Sequence, residues 1–232
     1  ARIMRLALLF PLQACAAPLW YTAEPIQGNV VDAETGRPLE GVIITANWQL
    51  EGGIEGSYPV GQMMVMETVT DKDGRYRFPG WGPKHRPMSG RIRTSGPQLL
   101  LFKSGYVHAE LENKLTEESL RGQLDNPLRS DWGGKTIKLG TLKGADMQTQ
   151  YKELLNFSKE VEHFAMWHRD PCQWTKLPIA VTKMMQERKK LEAQGAISIM
   201  DRTLDRQLLE GEPYFIEQCG RVAQTFIEGM KK

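Results

Sequence analysis

The stretch from Gly28 to Tyr106 constrains the fold of this chain more than any other, because turn residues cut its apolar segments into short strands. Ile26, Val30 and Val31 open a strand, and Thr35-Gly36-Arg37-Pro38 supplies the turn after it. Val42, Ile44, Ala46 and Trp48 then alternate with Ile43, Thr45 and Asn47, the two-residue period of a half-buried strand. Further strands are expected over 62–70, 75–78, 99–103, 107–111 and 136–139. Asp71-Lys72-Asp73-Gly74 reads as a hairpin turn in which Gly74 takes a positive φ. Short strands parted by turns predict a small antiparallel β-sandwich over 20–143.

Five segments in this order resemble the carboxypeptidase regulatory-like domain, a transthyretin-like sandwich. They are Gly28-Asn29-Val30-Val31-Asp32, Thr35-Gly36-Arg37-Pro38-Leu39, Gly41-Val42-Ile43-Ile44, the run from Thr70 to Phe78, and Lys103-Ser104-Gly105-Tyr106. They span about a third of the chain. The resemblance implies a non-catalytic appendage that stabilises, presents or binds something. Longer connections at 51–61 and 79–97 depart from the compact form, and the chain after Gly144 lies outside the resemblance.

There the period changes. Met147, Tyr151, Leu154, Leu155, Val161 and Phe164 recur at helical spacing, with an end expected near Asp170-Pro171. A second helix is expected from Pro178 to Ala193, stopped by Gly195, and a third from Arg202 to Met230 with a break at Gly211-Glu212-Pro213. The expected class is therefore α+β, with the sandwich followed by a helical region over 144–232. Phe157, Phe164, Trp167 and Trp174 are expected to pack between the two, the alternative being an exposed partner interface. Cys172 and Cys219 are available to bridge, which would staple the helical region to itself and contribute about 3–4 kcal/mol for a loop of about 48 residues. The alternative is a pair of buried free thiols.

Residues 1–15 read as an export signal: Arg2 and Arg5 precede an apolar run from Leu6 to Leu12, and small residues surround Cys15. Leu12-Gln13-Ala14-Cys15 resembles the lipobox of bacterial lipoproteins, which implies acylation of Cys15 and a membrane anchor. A plain secretory signal cleaved near Ala14–Ala17, or an apolar tail packed on the protein, are the alternatives. The run is too short to span a bilayer as a helix. A net charge of +2 gives no bulk attraction to nucleic acid, and none is expected as a partner.

Chemical motifs are few. Asp71-Lys72-Asp73-Gly74 lacks the later ligands of a calcium loop. His108-Ala109-Glu110 with Pro171-Cys172 lacks the second thiolate of a zinc deaminase, since residue 175 is Thr. His163, His168 and Cys172 are ligand types, but a spacing of five sets the histidines on different helical faces. No metal site, catalytic residue or cofactor is expected. The clearest surface signal is the interval between Asp73 and Glu110, which holds Arg75, Arg77, Lys84, Arg86, Arg91, Arg93 and Lys103 and no acid. With Trp81 among them, Lys84, Arg86, Arg91 and Arg93 are candidate contacts for a partner or an anionic group. The alternative is a solvated loop whose arginines pair with Glu110, Glu112 or helical acids.

These features point to an exported, envelope-anchored lipoprotein acting as a structural or accessory binding subunit of a larger assembly. One alternative is a module binding glycan or peptidoglycan through Trp81 and the arginines. Another is a hydrolase, to be recognised by a cleft gathering His163, His168 and acidic residues where the two regions meet.

Overall fold

The computed structural model describes residues 19–53, 58–121, 124–165, 172–197 and 217–220. The expected signal segment with Cys15, Trp167, His168 and nearly all of the third helix lie outside them. In chain order the strands are β1 Trp20–Ala23, β2 Ile26–Asp32, β3 Ile43–Gly52, β4 Tyr58–Val69, β5 Arg75–Phe78, β6 Trp81–His85, β7 Arg91–Ile92, β8 Gln98–Phe102, β9 Ala109–Leu111 and β10 Thr136–Leu139. A one-turn helix α1, Glu117–Leu120, precedes β10, and α2 Met147–Ala165 and α3 Pro178–Ala193 follow it. Among the described residues no helix is long and apolar enough to cross a membrane.

Two sheets form the sandwich. One has the order β10-β2-β5; the other runs β4-β3-β8-β9, with β7 also on β3, and β1 pairs β6 as a separate ribbon. Val30, Ile44, Trp48, Phe78, Leu99, Leu101 and Ile137 are buried together in one core cluster. The pairings are antiparallel except that β10 joins β2 in parallel, which corrects the wholly antiparallel expectation. The long connection from β9 frees the last strand from hairpin geometry. Backbone bonds from Gly134 to Gln27 (2.8 Å) and from Asn29 to Lys135 (3.1 Å) lead it in.

The Asp71–Gly74 turn forms, but it does not close a hairpin within one sheet. Gly74 N donates to the Asp71 carbonyl at 2.9 Å, and the Asp71 carboxylate accepts from the N–H groups of Asp73 and Arg75. Its flanking strands part: β4 stays with β3, while β5 pairs β2. Turn chemistry dictates the local reversal, not the lateral partner. Gly74 has φ 72°, and a Cβ there would lie 2.5 Å from the Val30 carbonyl oxygen. The residues expected as a longer 51–61 connection instead extend β3 to Gly52 and start β4 at Tyr58.

Strand β3 was expected to be half-buried; it is buried on both faces. Ile44, Ala46, Trp48 and Leu50 enter the sandwich core, whereas Ile43, with Leu100 and Phe102 of β8, packs under the helices. There it meets Tyr151, Phe157 and Phe164 of α2 and Val181, Met184 and Met185 of α3. Phe102 and Phe157 stack at 4.2 Å between ring centroids. Phe157, Phe164 and Trp174 thus take the expected core positions. The helical layer also carries the Cys172–Cys219 disulfide, with Cα atoms 5.5 Å apart. It joins the helical region to itself.

Helix α3 starts at Pro178, whose fixed φ suits a first turn, and ends before Gly195, at φ 101°. Its preceding residue, Leu177, provides no side-chain cap. The carboxylate of Glu67 on β4 takes that role, accepting from Ile179 N at 2.7 Å and Ala180 N at 3.0 Å. Burial pushes the Glu67 carboxyl up, and these two N–H groups oppose the rise. Replacing Glu67→Ala is expected to destabilise the helical layer by about 1–2 kcal/mol, the usual cost of an uncapped helix start. Urea unfolding followed by far-UV dichroism reads this, and Glu67→Gln, which keeps an acceptor, should recover part of the loss.

Candidate functional site: an acidic cleft between sheet and helix

The outer face of the larger sheet changes character along its length. Ile43, Thr45, Asn47, Gln49 and Glu51 share one face of β3 by strand alternation. Across the sheet Ile43 stands opposite Phe102, Thr45 opposite Leu100, and Asn47 opposite Gln98; Leu100 in turn stands opposite Glu110 of β9. One end is therefore apolar and covered by helices, and the other is amide and carboxylate.

At the polar end a cleft of about 690 Å³ lies between β3, β8, β9 and α2. The sheet side contributes Gln49, Glu51, Gln98, Glu110 and Glu112, and α2 contributes Glu160 and His163. Arg93, just past β7, reaches between two of the carboxylates: its Nε lies 3.3 Å from Glu51 and a terminal nitrogen 3.0 Å from Glu112. Gln98 Nε2 donates to Glu110 Oε1. Gln49 is 6% exposed, and its carboxamide makes no hydrogen bond among the described residues. Beneath the same face, Asn47 is fully buried with both side-chain polar atoms unpartnered. A buried orphan group such as that of Asn47 costs about 1–3 kcal/mol.

Burial pushes the Glu51 carboxyl above the ordinary carboxylate range; Arg93 and then Arg91 oppose that rise, and Glu112 adds to it by repulsion. A carboxyl with a raised folded-state pKa favours the fold below its ordinary pKa, and that contribution is lost as pH climbs through the raised value.

The candidate contacts named from the sequence are dispersed. Trp81, expected on a surface loop, is 8% exposed and packs edge-to-face on Trp48 at 5.4 Å, interplanar angle 89°. Trp81 opens β6, which pairs β1 in the register Ala23 with Trp81 and Tyr21 with Lys84, and this sets Trp81 beside an indole in the core. Lys84 is exposed on that ribbon, and Arg86 is half-buried next to it, its N–H bonded to Leu19. Arg91 is exposed on β7, which pairs β3 instead. Arg93 is half-buried and ion-paired, one partner being Glu112, as the solvated-loop alternative held.

His163 and four glutamates do meet where sandwich and helices adjoin; His168 lies outside the described residues. Cys172 spends its sulfur in the disulfide and cannot serve as a thiolate ligand. His108 is held by Glu153 of α2, whose carboxylate contacts both its backbone N–H and its Nδ1. That contact ties the sheet edge to the helix. Sequence reasoning missed Gln49, Glu51 and Glu160. The signal for the first two was present: polar residues at 47, 49 and 51 interleave with Trp48 and Leu50, a strand whose second face carries polar groups.

No family model matches the chain, and no curated protein matches it. Among solved structures, a Streptococcal ancillary pilin is similar at 15% identity and TM-score 0.26, over 51% of this chain and 29% of that one. A 3-chlorocatechol 1,2-dioxygenase from Rhodococcus opacus 1CP is similar at 21% identity and TM-score 0.28, over 52% and 59%. The dioxygenase domain of a dioxygenase carbohydrate-binding protein fusion from Streptomyces sp. SirexAA-E follows at 17% and 0.24, over 54% and 82%. The chain spans less than two thirds of the first two. At such scores these likenesses support no assignment.

Replacing Arg93→Ala removes the shared cation from Glu51 and Glu112. For these part-exposed groups the expected loss is about 1 kcal/mol at pH 7. It should shrink as pH falls toward about 4.5, where carboxylates protonate. Urea midpoints of both proteins across that pH range check it.

Proposed function

We propose that the chain is a non-catalytic accessory subunit of an exported assembly, anchored to the bacterial envelope through an acylated Cys15 and built on a transthyretin-like sandwich of the carboxypeptidase regulatory-like kind. The observation that carries this reading is the Cys172–Cys219 disulfide, which fastens a helical layer already packed on the sandwich. Disulfides persist in oxidising compartments, and a stapled cover over one sheet face suits a rigid part of a larger complex. The partner is a protein of the envelope; Lys84 and Arg91, both exposed, remain available to an anionic glycan.

Gentle detergent extraction from native membranes should co-purify a stoichiometric partner. The intact mass of the native protein should show lipid on Cys15 and loss of residues 1–14. A monomer that binds no envelope component would sink the reading.

A second reading, a hydrolase, is favoured by one observation: His163 and Glu51, Glu110, Glu112 and Glu160 line the same cleft. It requires turnover of chromogenic glycosides or esters that disappears in both His163→Ala and Glu160→Gln.

A further inference from the structure

We propose that the cleft between β3, β9 and α2 binds an organic cation, an alkylammonium or guanidinium group. Among the described residues, four glutamates line it against one lining arginine, Arg93, with Arg91 acting on Glu51 from outside. Arg93 is already shared by Glu51 and Glu112. Among the described residues, Glu110 has only the Gln98 amide and Glu160 makes no ion pair. A concave site with surplus negative charge concentrates cations.

Gln49 supplies the independent observation. It is more than nine-tenths buried, lines the cleft and makes no side-chain hydrogen bond among the described residues. Unlike the sealed polar atoms of Asn47, those of Gln49 are open to the cleft, where water or a ligand meets them. Its carbonyl oxygen can accept from a ligand N–H, as can the free carboxylates, and an ammonium brings three donors and a guanidinium five.

Size and spacing argue against a bare metal ion. Among the described residues no three carboxylates, imidazoles or thiols converge as metal ligands. A volume of about 690 Å³ lies in the range of small-molecule sites. The site also contains its own precedent, since the Arg93 guanidinium sits between carboxylates drawn from β3 and from the segment just after β9. Glu110 and Glu160 line the same cleft from the sheet and from the helix.

This proposal rests on reading the chain as a binding module. Capture of an envelope partner without cation binding would sink the proposal and leave that reading standing. Titration calorimetry of the full chain with agmatine, spermidine and a capped Lys/Arg tetrapeptide tests it, with citrate and a Glu-bearing tetrapeptide as controls. Saturable binding of a cationic probe, weakened by added NaCl, is expected. Glu110→Gln combined with Glu160→Gln should weaken it at least about tenfold. Gln49→Glu, which adds a carboxylate, should tighten it, while Gln49→Leu should weaken it. Tighter binding of the free amines identifies a small metabolite, and tighter binding of the peptide identifies a partner's side chain. No binding of any cationic probe, equal binding by the glutamine double variant, or binding of the anionic controls instead would overturn the proposal. The melting temperature of each unliganded variant separates lost affinity from lost fold.

Discussion

Between Ile43 and Leu50 the chain sends one row of side chains into the sandwich and the other toward the helices, so that a single strand is the wall shared by two apolar cores. The rest of the structure hangs on that wall. β4, β7 and β8 hydrogen-bond to it, Trp48 anchors Trp81 on its inner side, and Ile43 with Leu100 and Phe102 offers the bed on which α2 and α3 lie. Without the helices that bed would be an exposed apolar patch of the kind soluble surfaces avoid. Without the sheet, the helices would have no apolar surface to cover. The two regions read from the sequence as successive are one packed body across this strand.

Local signals carried well where a local rule decided the outcome. β5 and β10 fall on the expected residues, and α3 runs from Pro178 to Ala193 because proline favours its first turn and Gly195 follows its last. The disulfide was likewise visible as a cysteine pair. What stayed hidden was lateral. Nothing local at Asp71–Gly74 says that the strands on either side belong to different sheets, and nothing in 136–139 says that the strand will run parallel to β2. Trp81 was misread for the same reason: an aromatic among arginines resembles a contact surface until Trp48, far away in sequence, is seen to face it.

The cleft follows from the same wall. Alternation put apolar residues on both faces at the start of β3, but its outer row turns polar at Thr45, Asn47, Gln49 and Glu51 while its inner row stays apolar through Leu50. The helices follow the apolar half closely and stand off where amides and carboxylates begin. The polar half was legible as a pattern, yet its meaning depended on Glu110, Glu112, Glu160 and His163 arriving from other elements. Sequence reasoning named His163 and the acids of a junction cleft only as a condition to be met.

The capping of α3 has a consequence for how errors in this fold would show themselves. The acceptor for its first N–H groups lies 112 residues earlier, on a strand in another layer. A one-residue slip of β4 would swing Glu67 to the opposite face of the sheet. It would also move the Val65 side of the helical bed away. The helix would then lose its start and its support together. Helicity in the C-terminal region is therefore a gauge of strand register, reporting a misalignment that the sheet's own hydrogen-bond ladder would conceal.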